Sequence, residues 1–226
     1  SDIRSFTSIS EKMSPKETFN FINQYLGVIS PIIREYNGFI DKYIGDAIMA
    51  IFPSKPEDSI KAAIEMQKNL IDYNIILKKE QKPPIHIGVG IHSGLLMLGP
   101  VGESKRMEGT VISDTVNLSS RLEGLTKYFN ANIIVSEDVI SKTGENAIKY
   151  NTRFLGKVKV KGKSIPVGIH QIIDGNENTV IEKLLKTKKL FEQGINHYFN
   201  KEYLTAIDRF EKVLKINPDD CAAIHY

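Results

Sequence analysis

Apolar residues recur along this chain with a helical period in some stretches and a strand period in others. From Met13 to Gly38 they fall at three- and four-residue steps, with Phe19, Ile22, Leu26, Ile29 and Ile33 making one buried face. That spacing predicts a helix. Ser14 is placed to cap it, Pro15 suits its first position, and Glu17 closes a capping box with the serine. Asn37-Gly38 stops it, and Pro31 predicts a slight kink. A second helix is expected over residues 56–79, with Ile60, Ala63, Ile64, Gln67 and Ile71 near one side. Between them, the short runs Phe39–Tyr43 and Ala47–Phe52 flank Gly45-Asp46, a turn pair suited to a tight hairpin.

Further on, "IHIGVGIHSGLLMLGP" predicts another hairpin, turning at Ser93-Gly94. "SDTVNLSSRLEGLTKYF" opens on capping residues and carries Val116, Leu118, Leu122 and Leu125 along a helix, and "ANIIVS" follows as a strand. After a short helix, "FLGKVKVKGKSIPVGIHQII" predicts two closing strands around a Gly-Lys-Ser turn. The order β-α-ββ-α-ββ-α-β-α-ββ is that of an α+β fold, with helices covering one face of a mostly antiparallel sheet.

Polar "DGNENTVIEK" breaks the pattern, which sets a domain boundary near Asp174. Beyond it only helices are expected, about Thr187–Phe199 and Tyr203–Ile216. Gly194, Ala206, Phe210 and Pro218 stand at separations of 12, 4 and 8. This resembles a tetratricopeptide repeat, where small residues let two antiparallel helices approach. Gln193 and His197 depart from that pattern, and an ordinary helical hairpin is the alternative. One such repeat does not bury its own apolar face. "DDCAAIHY" reads as the start of a further repeat, so a protein partner is expected on this region.

Composition narrows the class. Of 226 residues, 41% are hydrophobic and 25% charged, enough apolar material for a core. A net charge of +3 argues against a nucleic-acid surface but welcomes an anionic ligand. The single cysteine, Cys221, makes no internal disulfide, so a reducing, cytoplasmic setting is the expectation. No stretch reaches the roughly 18 apolar residues that cross a bilayer. Membrane attachment is therefore not indicated here, though an upstream region could supply it.

Five polar positions carry candidate chemistry: Asp2, Asp46, Asn117, Arg121 and Lys161. Each has an ordinary reading. Asp46 suits a hairpin tip, Asp2 a solvated strand end, and "KVKVKGK" a basic edge that discourages aggregation. Asn117 and Arg121, four apart, share a helix face that is usually solvated. Taken together they make a sharper proposal. Two carboxylates on neighbouring elements suit two divalent cations about 4 Å apart, poised for in-line attack at phosphorus. An Arg and a Lys would neutralise phosphate charge, and an Asn would orient a sugar.

The blocks "DIRSFTSISE", "GFIDKYIGDAIMAIF", "IGVGIHSGLLMLG", "TVISDTVNLSSRLEGLTK" and "KVKGKSIPVGIHQI" resemble, in order and spacing, the class III adenylate and guanylate cyclase catalytic domain. The resemblance covers about residues 1–173. Residues 174–186 are then a linker and the start of a helix, and 187–226 the repeat-like segment. It implies a ferredoxin-like, palm-type βαββαβ core acting as a homodimer, with catalysis at the subunit interface. In the family a hydrophobic strand precedes the DIxxFT motif, so a chain opening on "SDIRSFT" is expected to be a piece of a longer one.

The resemblance also implies roles. Asp2 and Asp46 match the ligands of two Mg²⁺ or Mn²⁺ ions per site, with the backbone of Ile3 bridging and Phe6-Thr7 cradling phosphate. Lys42 matches the purine reader and Thr110 its partner. Asn117 matches the ribose-positioning residue and Arg121 the transition-state arginine. Lys161 matches a triphosphate contact, and Arg106 is a further phosphate candidate. The metal ligands come from one subunit and the remaining groups from the other.

Lys42 has donors only, which suits adenine N1, and a Thr hydroxyl accepts from the N6 amino group. Guanine reverses that edge and would want the carboxylate that guanylate cyclases carry there. The expected reaction is conversion of ATP to cyclic AMP and pyrophosphate. Guanylate cyclase activity and a non-catalytic dimerisation or interaction module are the alternatives. Two departures from the family, Ser5 and Ser113, stand where Gly is common, and both are small.

Overall fold

The computed structural model describes residues 1–103, 106–144, 149–159 and 166–226. Its first half runs β1 (Asp2–Ile3), α1 (Phe6–Ser10), α2 (Pro15–Glu35), β2 (Phe39–Ile44), β3 (Ala47–Ile51), α3 (Pro56–Lys79) and β4 (Ile87–Ile91). Next come β5 (Met97–Glu103), β6 (Arg106–Ile112), α4 (Asp114–Phe129), β7 (Ile133–Ser136), α5 (Glu137–Thr143), β8 (Thr152–Val158) and β9 (Val167–Ile172). Three helices close the chain: α6 (Asn178–Phe199), α7 (Tyr203–Ile216) and α8 (Cys221–His225).

Local signals were translated directly into structure. The Ser14 hydroxyl accepts from the Glu17 amide at 3.3 Å, and the Ser14 amide donates to the Glu17 carboxylate at 2.7 Å. This completes the capping box that starts α2. Asn37, at φ 60°, turns the chain after it.

Five strands form a sheet in the order β1-β4-β7-β9-β8, in which β4 and β7 alone run parallel. The β2–β3 hairpin is sewn to the β1 edge by two backbone bonds of 2.9 Å between Ser1 and Ile48. The core is the βαββαβ-type α+β arrangement, followed by an all-helical region.

Two expectations are corrected. No hairpin turns at Ser93-Gly94: β4 already pairs with β1 on one edge and β7 on the other. Residues 97–103 therefore pair with β6, a strand the apolar pattern did not reveal. Nor do helices cover only one face. Side chains alternate along β7, so Ile133 and Val135 join the α2, α3 and α5 side while Ile134 joins the side of α4, α6, α7 and α8. The expected Gly-Lys-Ser turn lies outside the described residues.

Helix α4 lies directly on β4. A Cβ at Gly90 would stand 2.2 Å from the Glu123 backbone nitrogen and 2.3 Å from the Ser119 carbonyl oxygen. Only glycine permits that approach. At the other end, α6 begins at Asn178, nine residues before the expected Thr187 (187 − 178), because Leu184, Thr187 and Phe191 continue one buried face. A Cβ at Gly194 would meet the Phe210 ring at 2.7 Å, so α6 and α7 are closely apposed.

Candidate active site

Strand pairing places the two aspartates. With Ser1 opposite Ile48, Ile3 comes opposite Asp46, and the Ile3 amide donates to Asp46 Oδ2 at 3.2 Å. Gly45, at φ 64°, supplies the left-handed residue that brings β2 back as β3 and presents Asp46 at the tip. Burial, the charge of Asp2 and a hydrogen bond with the Asp2 carboxyl push the Asp46 carboxyl up from 3.8 to about 6. Backbone hydrogen bonds from Asp46 and Ile3 pull the other way. Two carboxyl groups this close do not both ionise readily without a cation.

That crowding suits hard divalent cations such as Mg²⁺ or Mn²⁺, which prefer carboxylate oxygens. Among the described residues no group of three or more His, Cys, Asp or Glu side chains is set to hold a metal. A cation at Asp2 and Asp46 would complete its shell with backbone oxygen, water or phosphate.

Other groups surround the pair. Lys127, in the last turn of α4, stands 3.8 Å from Asp2 Oδ2. Glu123, one turn earlier, is pushed up by burial and then by Asp2, while Lys127 and Arg4 pull the other way. The Arg4 guanidinium donates to the carbonyls of Thr126 (3.2 Å) and Ala131 (2.9 Å), tying the DIxxFT segment to the end of α4. Sequence reasoning missed these three. For Glu123 and Lys127 the signal is position: they lie four apart on the helix that carries Arg121.

The remaining candidates sit on separate elements. Phe6 and Thr7 open α1, where Phe6 stacks on Phe21 at 6.4 Å and Thr7 is exposed. Ser5 precedes them at φ 56°, a left-handed conformation that explains why glycine is common there in the resembling family. Lys42 lies on β2, whereas Asn117 and Arg121 are exposed on α4 beside the buried Leu118 and Leu122. Thr110 and Arg106 belong to β6, in register with Gly99 and Glu103. Lys161 lies outside the described residues. Asp2, Ile3 and Asp46 are thus brought together, and the others are distributed over β2, β6 and α4.

A cleft of about 840 Å³ runs from Asp2 between β3 and β4, past Met49, Phe52, Ile91 and Thr115. Its lining is mainly apolar, with Lys55, His92 and Lys142 among its polar groups. Among the described residues no helix is long and apolar enough to cross a membrane.

Comparison with known proteins identifies the family. An adenylate cyclase of Anabaena cylindrica is 44% identical over 177 residues, covering 76% of this chain and 35% of that protein. The terminal-differentiation-specific adenylate cyclase of Dictyostelium discoideum is 37% identical across all of this chain, which spans only 11% of it. The chain thus spans about a third or less of these relatives. Among solved structures, the guanylyl cyclase Cya2 (28% identical, TM-score 0.65) is matched over 78% of this chain and 90% of its own. The adenylyl cyclase CyaB from P. aeruginosa (28% identical, TM-score 0.64) is matched over 78% and 92%. Residues 1–180 carry the signature described as the adenylate and guanylate cyclase catalytic domain, and the chain belongs to that family.

Proposed function

We propose that this chain is an adenylate cyclase, converting ATP to 3′,5′-cyclic AMP and pyrophosphate at a site shared between two copies. The meeting of Asp2 and Asp46 carries the reading: two crowded carboxyl groups beside the Ile3 backbone form an oxygen-rich site that calls for divalent cations. Held there, two Mg²⁺ or Mn²⁺ ions would acidify the ribose 3′-hydroxyl and neutralise the triphosphate.

The chain's own groups do the rest. Asn117 orients the ribose so that its 3′-oxygen lies in line with the α-phosphate. Arg121 stabilises the charge that builds on that phosphate, with Lys161 and Arg106 along the leaving pyrophosphate and Phe6-Thr7 beside it. Nucleophile and electrophile belong to one nucleotide, so restraint and electrostatics supply most of the acceleration. Lys42 reads adenine N1 and Thr110 accepts from N6.

Exposure of Asn117 and Arg121 supports a partner subunit as their destination. So does the apolar β5–β6 arm, on which Met97 is 76% and Leu98 57% exposed. A second copy suits it, each contributing what the other lacks. Residues 187–226 are read as one tetratricopeptide-like repeat carrying a protein-docking surface, the segment 174–186 joining it to the catalytic domain of 1–173. Guanylate cyclase activity is the second reading, favoured by the likeness to the guanylyl cyclase Cya2 and opposed by Lys42.

The test is a product assay with Mn²⁺ and ATP or GTP. Cyclic AMP is expected from wild type and none from Asp46→Ala. Arg121→Ala and Asp46→Ala proteins, each inactive, should recover activity when mixed and allowed to exchange subunits. Cyclic AMP from Asp46→Ala alone would refute the metal role. For the base, Lys42→Glu with Thr110→Cys should weaken ATP turnover and admit GTP.

A further inference from the structure

Strand β2 does not pair evenly with β3. Ile40 is opposite Ala50 and Lys42 opposite Met49, so Asp41 is an extra residue, a bulge set one position before the base-reading lysine. In an even strand neighbouring side chains leave opposite faces of the sheet. Here they meet: Lys42 Nζ stands 3.3 Å from Asp41 Oδ2. The two ends of the pair are in different surroundings. The Asp41 side chain is 6% exposed, the Lys42 side chain 36%. Asp41 Oδ2 is buried and has no hydrogen-bond partner among the described residues, so the contact with the ammonium is one of charge.

We propose that Asp41 is a positioning residue for nucleotide selection, its buried carboxylate anchoring the Lys42 ammonium where it meets the purine edge. This rests on the reading of Lys42 as the group that reads adenine N1. A buried carboxylate is tolerated only where a cation compensates it, so Asp41 holds the ammonium near the bulge. Lysine has a flexible four-carbon stem and three donors. With one side of the ammonium turned to Asp41, its other donors are presented in fewer directions, and one of them serves an acceptor on the base. The partner expected on β6, Thr110, is uncharged and supplies no such anchor. Asp41 touches no substrate atom in this scheme. Its effect is on which base fits, felt in binding more than in turnover.

The experiment compares wild type, Asp41→Asn, Asp41→Glu and Lys42→Ala on ATP, 1-deaza-ATP (a C–H in place of N1) and GTP, with kcat and KM separated and melting curves for each protein. Wild type should prefer ATP to 1-deaza-ATP by about tenfold or more, the scale of one lost polar contact. Lys42→Ala should lose that preference. Asp41→Asn, close in shape, should lose most of it through a higher KM for ATP, with kcat within about twofold and GTP discrimination weakened in parallel. Asp41→Glu, which keeps the charge, should retain more of the preference than Asn.

If Lys42→Ala discriminates as wild type does, the base-reading assignment itself fails. If Lys42→Ala loses discrimination while folded Asp41→Asn keeps it, only the role of Asp41 is overturned. Asp41→Ser gives a second neutral variant. Should neither neutral variant fold, Asp41 maintains the bulge rather than the lysine and the proposal is equally overturned.

Discussion

Replacing Asp46 with Asn should make the metal-free protein more stable at neutral pH. The Asp46 carboxyl is raised from 3.8 to about 6, first by burial and then by Asp2. An acid raised on folding binds its proton more tightly in the folded state. Its stabilising effect is complete below the unfolded value near 4, declines as pH rises towards 6, and above that the ionised carboxylate is a net penalty. About two pH units at 1.36 kcal/mol each give roughly 3 kcal/mol as a ceiling. The side chain is only partly buried, and solvent screening brings this to about 1 kcal/mol. Asparagine keeps an oxygen for the Ile3 amide and removes the charge. In EDTA at pH 7.5, calorimetry should show Asp46→Asn melting about 2–4 °C above wild type, the shift that 1 kcal/mol makes in a chain of this size. Near pH 4 the difference should vanish. Mn²⁺ should then raise the wild-type melting temperature and leave the variant almost unmoved. A variant less stable than wild type in EDTA at pH 7.5, or one equally stabilised by Mn²⁺, would refute the crowded-carboxylate reasoning.

Other consequences are equally direct. Asp220→Ala strands the Arg153 guanidinium, 1% exposed, without its 2.6 Å partner, and urea unfolding should show a loss of about 3–5 kcal/mol. The double variant Arg153→Met with Asp220→Leu should recover most of it. Gly90→Ala drives a methyl into the α4 backbone and should lower stability by about 1–3 kcal/mol by the same assay, with cyclase activity falling further because α4 carries Asn117 and Arg121. Ser5→Gly relieves a left-handed residue and should raise the melting temperature, by about 1 kcal/mol in free energy, with no loss of activity.

What the sequence revealed follows the range of the interaction. The Ser14–Glu17 capping box, the stop at Asn37 and the turn at Gly45 depend on residues within a few positions of one another, and each appears where expected. Partner choice between strands does not. Ser93-Gly94 has the composition of a turn, yet β4 was already committed on both edges to strands distant in sequence. The apolar run Ile133–Val135 held the clue that helices lie on both faces, since an interior strand buried on both sides loses its alternation. The glycines of "IGVG" held another, because close approach of α4 requires them. The proximity of Asp2 and Asp46 was visible only through resemblance to a family; no period links positions 44 residues apart (46 − 2). Asp41 was invisible for a different reason: its contact with Lys42 depends on a bulge, and a bulge leaves no mark on a pattern of alternating residues.

The helices after β9 also bear on α4. Leu118 and Leu122, each adjacent to a candidate catalytic residue, share one apolar cluster with Phe191, Phe210 and Ala222. His225 stacks on Tyr128 with ring centres 3.8 Å apart and an angle of 13°. Arg153 of β8 grips Asp220, the cap of α8, through two nitrogens at 2.6 and 3.2 Å while lying 4.2 Å over the Phe191 ring. The Tyr226 hydroxyl donates to the Leu155 carbonyl at 2.6 Å. Helix α4 is therefore held between two supports: glycine-permitted contact with β4 beneath it, and this helical layer alongside. The outer surface of that layer exposes Tyr203, Leu204 (86%) and Ile207 on α7. The opposite side of α7 buries Ala206, Phe210 and Val213 in the cluster that holds Leu118 and Leu122. Contact at the outer face and the position of Asn117 and Arg121 are thus separated by one close-packed layer, and such layers transmit displacement rather than absorb it.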